Sequence, residues 1–126
     1  MRIDHIAIYV KNLERAKDFF VKYFEGHANS KYINENRGFS SYFISFSDGS
    51  RLELMNRRDI TEHSFINHLG YAHISISVGT GKKVQELTWQ LQADEYEVLS
   101  EPRITGDGYY ESCILDAEGN IIEITA

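Results

Sequence analysis

The chain holds a single cysteine, Cys113, in 126 residues. An internal disulfide is thereby excluded, and a reducing cytoplasm fits. No apolar run approaches the length of a membrane span. No basic stripe is present, and the formal charge of −6 argues against nucleic acid as the main partner. The start, Met1-Arg2-Ile3-Asp4-His5, carries no signal-peptide pattern and leads straight into a strand, so a cytoplasmic location is expected. Low-complexity tracts are missing as well. Disorder is not expected, because 42% hydrophobic residues, with 8 tyrosines and 7 phenylalanines, supply a core. The length suits one domain, or two half-size modules.

What is present is an internal repeat. The segment from Gly38 to Leu54 lies over Gly108 to Ile124 without a gap, at an offset of 70. Gly38 meets Gly108, Ile44 meets Ile114, Gly49 meets Gly119, and Glu53 meets Glu123. Upstream, residues 4–10 lie over residues 72–78 at an offset of 68, and His5 meets His73. Two matches in order, at nearly equal offset, define two copies of one unit. Each copy begins with a strand carrying a His and ends with a strand carrying a Glu. Module 1 spans 1–60 and module 2 spans 70–126, with 56–69 as a connector.

Residues 3–10 alternate as a strand, with Ile6, Ile8 and Val10 toward a helix. The helix is expected over 12–24, with Asn12 as N-cap and Gly26 at its end. Leu13, Ala16, Phe20, Tyr23 and Phe24 form its inner stripe, a core and not a ligand box. A short strand is expected over 28–33 and a polar loop over 34–38. Strands at 42–46 and 51–55 flank a hairpin turn at 47–50. The connector includes a short helix from Thr61. In module 2 the spacing predicts a strand over 71–78 and a helix over 82–94 with Val84, Leu87, Leu91 and Trp89 inward. A short strand at 97–99, a loop at 102–108, and strands at 109–115 and 121–125 complete it. Cys113 is read as an inert core residue. His27, His63 and His68 lack duplicated counterparts and are read as loop residues.

Alternation then places the polar groups. His5 shares a face with Ala7 and Tyr9, and His73 with Ser75 and Ser77. Glu53 shares a face with Arg51 and Met55, and Glu123 with Ile121 and Thr125. The opposite faces are aliphatic. Each unit is therefore expected to form a curved sheet with a helix on its apolar side and a polar concave side. Two imidazoles and two carboxylates converging in a cleft form a divalent metal site. Such mixed ligation suits Zn, Ni, Co, Mn or Fe without choosing among them.

The stretches Asp4-His5-Ile6-Ala7, Leu52-Glu53-Leu54, Ala72-His73-Ile74-Ser75 and Asp116-Ala117-Glu118-Gly119-Asn120-Ile121-Ile122-Glu123 resemble the vicinal oxygen chelate superfamily, the glyoxalase I, bleomycin-resistance and extradiol dioxygenase group. The last resembles the family's Asp-Pro-Asp-Gly-Asn-x-Ile-Glu ending, with Ala117 and Glu118 in place of Pro and Asp. The resemblance covers essentially the whole chain. It implies an α+β fold of two paired βαβββ modules around a metal cleft, forming a single domain. It implies His5, Glu53, His73 and Glu123 as the metal set. Bleomycin-binding members lack such a set, and the His-Glu-His-Glu pattern resembles glyoxalase I (lactoylglutathione lyase) best.

That enzyme type converts the hemithioacetal of a 2-oxoaldehyde and a thiol to a hydroxyacyl thioester through an enediolate. The resemblance assigns Glu123 as the base, with Glu53 assisting, and glutathione or another thiol as co-substrate. Tyr9, Arg37, Arg51, Asn56 and Tyr109 are candidate substrate-binding residues. Arg57 and Arg58 are further carboxylate clamps or plain surface charge. The family's usual Arg on the first ligand strand is Tyr9 here, and its Asn after the first Glu is matched only by Asn56, so glutathione is not assured. The alternatives are an epimerase or thiol-transferase of the same fold, or a non-catalytic binding or resistance protein. A homodimer is expected, with sites shared between chains or formed within one.

Overall fold

A computed structural model describes residues 3–62, 69–106 and 108–126. The chain divides into two compact units, Met1–His63 and Ser64–Ala126. In the first unit, strand β1 (Ile6–Tyr9) leads to helix α1 (Leu13–Phe24), short strands β2 (His27–Ala28) and β3 (Tyr32–Asn34), a 3-10 turn (Glu35–Arg37), and the hairpin of β4 (Phe39–Ser45) and β5 (Arg51–Arg57). In the second, β6 (Ile74–Ser77), α2 (Gly81–Ala93), β7 (Val98–Ile104), β8 (Tyr110–Leu115) and β9 (Ile121–Thr125) follow in the same sequence. The α+β class stands. The βαβββ order is complete in the second unit, and in the first its second strand is broken into β2 and β3.

The sheets share one topology. The first runs β1-β5-β4-β2, with β3 also on β4; the second runs β6-β9-β8-β7. In each, the first and last strands are parallel neighbours and the remaining pairs are antiparallel. The duplicated hairpin turns carry Gly49 and Gly119 at φ of 86° and 82°, which a side chain would resist. In the second turn, buried Asp116 accepts the amides of Glu118 at 2.8 Å and Asn120 at 2.9 Å. Burial still pushes its carboxyl pKa up, against those hydrogen bonds.

Helix α1 is capped by Asn12, whose Oδ1 accepts from the Arg15 amide at 3.0 Å. Its stripe lies against β4, β5 and β2. The expected residues are buried, and Phe19 joins them. Leu52, Leu54 and Ile44 meet them from the sheet; a large apolar side chain fully buried stabilises by about 1.5–3 kcal/mol. In the second unit α2 packs on β8, β7 and β9, and Val84, Leu91, Ile114, Ile122 and Ile124 are fully buried.

Several expectations need correction. Ile6 is exposed, because β1 is a sheet edge and α1 packs farther in. Glu25, not Gly26, takes the left-handed turn that ends α1. Gly26 serves a close approach instead, since a Cβ there would stand 2.5 Å from Ile44 Cγ2. His27 lies in β2 and not in a loop. Strand β5 runs on through Asn56 and Arg57, so these are not connector. Trp89 is exposed, and Thr88 takes the inward position. Strand β7 continues through Pro102, which is tolerated because β7 is an edge whose register shifts between Ser100 and Arg103. Cys113 is half-buried and off the core face. Thr61 and Glu62 are not helical; the rest of the expected connector helix, with His63 and His68, lies outside the described residues.

Thr88 and Ser112 form a buried polar pair. Thr88 Oγ1 donates to the Val84 carbonyl at 2.6 Å and stands 2.6 Å from Ser112 Oγ. A hydroxyl has one proton, so Ser112 must donate to Thr88. By the repeat, the matching positions in the first unit are Phe20 and Tyr42, where rings fill the space. Thr88→Val is expected to cost about 1–3 kcal/mol, because Ser112 keeps a buried hydroxyl with no partner. Adding Ser112→Ala should return part of that loss in urea unfolding; strictly additive losses would contradict the relay.

Candidate metal centre

Each unit places one His beside one Glu, and strand register does it. In the first, the parallel pair β1/β5 sets Ala7 opposite Glu53. His5 lies two residues before Ala7, immediately before the strand, and so shares its face. In the second, β6/β9 sets Ser75 opposite Glu123, with His73 in the same relation. His5 Nε2 stands 3.7 Å from Glu53 Oε2, and His73 Nε2 stands 3.1 Å from Glu123 Oε2. The depths also match. The carboxylates are 18% and 20% exposed and the imidazoles 36% and 41%. On the other side of the Glu, the register sets Phe43 against Glu53 and Cys113 against Glu123.

The surroundings of His5 are the more elaborate. Its Nδ1 lies 3.0 Å from Asp4 Oδ2. Arg51 makes an ion pair with the same carboxylate. The hydrogen bond with His5, then that with Arg51, hold the Asp4 carboxyl below the usual carboxylate range. The Phe43 ring meets His5 edge-on at 5.2 Å, and the Arg51 guanidinium lies 4.7 Å over the same ring. Neither Asp4 nor Phe43 was among the sequence candidates. The signal was the repeat itself, in which Asp4 meets Ala72 and Phe43 meets Cys113.

Imidazole nitrogen beside carboxylate oxygen suits a divalent ion. Two donors side by side on an ion with bonds of about 2.0–2.2 Å stand roughly 3 Å apart, which the second pair matches at 3.1 Å and the first, at 3.7 Å, exceeds. Within neither unit do three or more His, Cys, Asp or Glu side chains gather as a metal site among the described residues.

The other candidates are spread over the first unit and one hairpin of the second. Tyr9 is exposed, on the face of His5, with the Arg57 guanidinium 5.7 Å from its ring. Arg37 sits on the 3-10 turn and shares an open hollow of about 550 Å³ with Arg57 and Arg58. Arg58 faces Glu35 at 3.7 Å, and Arg57 holds Asp59 at 2.6 Å. Arg51 is engaged by Asp4 and Phe43. The Asn56 amide donates to the carbonyls of Val10 at 2.9 Å and Lys11 at 3.2 Å. Tyr109 is exposed in the turn between β7 and β8, held by Thr105. Tyr110 instead packs against α2, where its hydroxyl accepts from Gln85 at 2.7 Å.

The sequence pattern of the glyoxalase/bleomycin resistance protein/dioxygenase superfamily matches residues 2–124. The chain belongs to this superfamily. Solved structures agree in fold. Glyoxalase I from Zea mays superposes with a TM-score of 0.83 at 17% identity, covering 98% of this chain and 44% of the maize chain. The present chain thus spans less than half of that enzyme. The trypanothione-dependent glyoxalase I of Leishmania major gives 0.80 at 21% identity, covering 99% of this chain and 86% of its own. A glyoxalase family protein from Bacillus cereus gives 0.83 at 22% identity, covering 99% and 93%. No match was found among curated proteins. The superfamily therefore takes in glyoxalase I enzymes, and identities this low speak for the fold alone. Among the described residues no helix is long and apolar enough to cross a membrane.

Cys113 offers a test of the second pair. Burial first, then the carboxylates of Glu123 and Glu111, push its thiol pKa up. A thiolate beside a carboxylate is disfavoured, so Cys113 should alkylate more slowly than a free thiol at neutral pH. Glu123→Gln removes one opposing charge, lowers the thiol pKa and should speed iodoacetamide reaction. An unchanged rate would contradict the placement of Cys113 beside Glu123.

Proposed function

We propose that the chain is a metal-dependent lyase or isomerase of glyoxalase I type. It converts the hemithioacetal of a 2-oxoaldehyde and a thiol to a hydroxyacyl thioester. The observation that carries this reading is the duplicated His–Glu pairing at matched register and depth. His5, Glu53, His73 and Glu123 jointly hold one divalent ion. The two modules act as a single functional domain, within one chain or shared across a homodimer in the cytoplasm. Zn, Ni, Co, Mn and Fe all suit the donor set.

When bound, the ion supplies Lewis-acid polarisation of two neighbouring substrate oxygens. Glu123 takes the proton from C1 of the hemithioacetal, and Glu53 assists proton delivery at C2. A carboxylate serves as both ligand and base because it has a second oxygen to carry the proton.

The thiol is the less constrained partner. Tyr9 replaces a basic clamp on the first strand, and the Asn56 amide and the Arg51 guanidinium are engaged inside the chain. A small thiol other than glutathione is therefore the second reading for the co-substrate.

Glu123→Gln is expected to keep its circular dichroism and lose at least about 100-fold in hemithioacetal turnover, the scale of one acid–base group. Unchanged turnover would reject Glu123 as the base. Ion binding with no turnover of any hemithioacetal would favour an epimerase or thiol-transferase of this fold. Neither binding nor turnover would favour a non-catalytic binding or resistance protein.

A further inference from the structure

His5 and His73 hold duplicated positions, but only one of them is braced. Around His5 three side chains close a ring of contacts with it. Arg51 pairs with Asp4, Asp4 bonds His5 Nδ1, His5 meets Phe43 edge-on, and Arg51 stacks over Phe43. Each member touches two others, so fixing one helps to fix the rest. The positions that correspond to Asp4, Phe43 and Arg51 are Ala72, Cys113 and Ile121 in the second unit. None of those three can accept from an imidazole N–H as a carboxylate does, stack on its ring, or pair with a carboxylate. Among the described residues the polar partner of His73 is Glu123 alone.

The chemistry of the ring selects a tautomer. An ionised carboxylate only accepts, so the proton on a neutral His5 must sit on Nδ1. The Nε2 lone pair is then the one directed toward Glu53. Arg51 reinforces this by holding the acceptor in place. Its charge is matched by Asp4, so it adds little repulsion toward a cation at Nε2. Carboxylate partners of this kind fix ring orientation and raise the basicity of the donor nitrogen.

We propose that Asp4, Arg51 and Phe43 are positioning residues that lock His5 in the Nδ1–H tautomer with Nε2 facing Glu53. The donor nitrogen of the first His–Glu pair is thereby fixed before any ion arrives. The inference rests on the ion-site reading above for its purpose, but the tautomer is a property of the metal-free chain and is measured without it.

The test is imidazole nitrogen–proton correlation NMR on the intact 126-residue chain, free of metal, at mildly alkaline pH, where an imidazole is neutral. The His5 signals are assigned by their loss in His5→Gln. In the wild type, His5 should show a protonated Nδ1 and an unprotonated Nε2, whereas His73, whose Nε2 stands 3.1 Å from the Glu123 carboxylate and whose Nδ1 has no carboxylate partner among the described residues, should carry its proton on Nε2. Asp4→Ala and Arg51→Ile install the residue types of the second unit and should bring His5 to the behaviour of His73. Asp4→Asn keeps an acceptor and should restore the wild-type pattern in part. Asp4 is exposed and Arg51 half-buried, and circular dichroism checks that the fold is kept.

Titration with Co(II) or Zn(II) then reads the consequence. Asp4→Ala should weaken affinity by about 10–100-fold at unchanged stoichiometry. A wild-type His5 protonated on Nε2, or a pattern indifferent to Asp4→Ala, would overturn the positioning role. A locked His5 in a protein that binds no ion would sink the ion-site reading while leaving the lock standing. Ion binding with an unlocked His5 would do the reverse.

Discussion

In each unit a parallel strand pair sets a Glu opposite the residue two places after a His, and the register of that pair decides the site. Side chains alternate along a strand, so a slip of one residue would turn Glu53 or Glu123 toward the helix. What prevents the slip is the apolar face behind it. Leu52 and Leu54 flank Glu53, and Ile122 and Ile124 flank Glu123, all nearly or fully buried. Moving any of them to the polar face would expose large aliphatic groups and bury a carboxylate in their place, at a cost of several kcal/mol. The hydrophobic core thus fixes the geometry of the polar pairs from the opposite face of each strand.

The two units share this register but fill it differently. In the first, Phe20 and Tyr42 occupy the positions held by Thr88 and Ser112 in the second. Rings give way to a hydroxyl relay that is satisfied within itself. The same divergence recurs on the polar face, where Asp4, Phe43 and Arg51 correspond to Ala72, Cys113 and Ile121. Duplication preserved the strand order and the His–Glu relation, and left each interior and each site surround to vary.

The sequence showed much of this because the repeat and the two-residue period are local signals. Gly49 and Gly119 mark the turns, the α1 stripe recurs at helical spacing, and the His and Glu positions repeat in order. What it hid depended on neighbours brought in by the fold. Ile6 reads as a core residue until β1 is seen to be a sheet edge. Trp89 reads as inward by hydrophobicity, but Thr88 is the residue whose angle on α2 faces Ser112. Pro102 reads as a loop because its tolerance requires an edge strand with a shifted register. Asp4 and Phe43 gained a role only when the fold showed the Asp4 carboxylate on His5 Nδ1 and the Phe43 ring edge-on to the imidazole. The Asn56 amide looked available for a ligand, and two backbone carbonyls of the first unit take it up.

The most direct test of the account is the amount of divalent metal bound per chain, after stripping and titration with several ions, in the wild type and in Glu53→Ala. The account predicts close to one tight ion per chain, weakened by the substitution. The absence of any specific site in the wild type would contradict it.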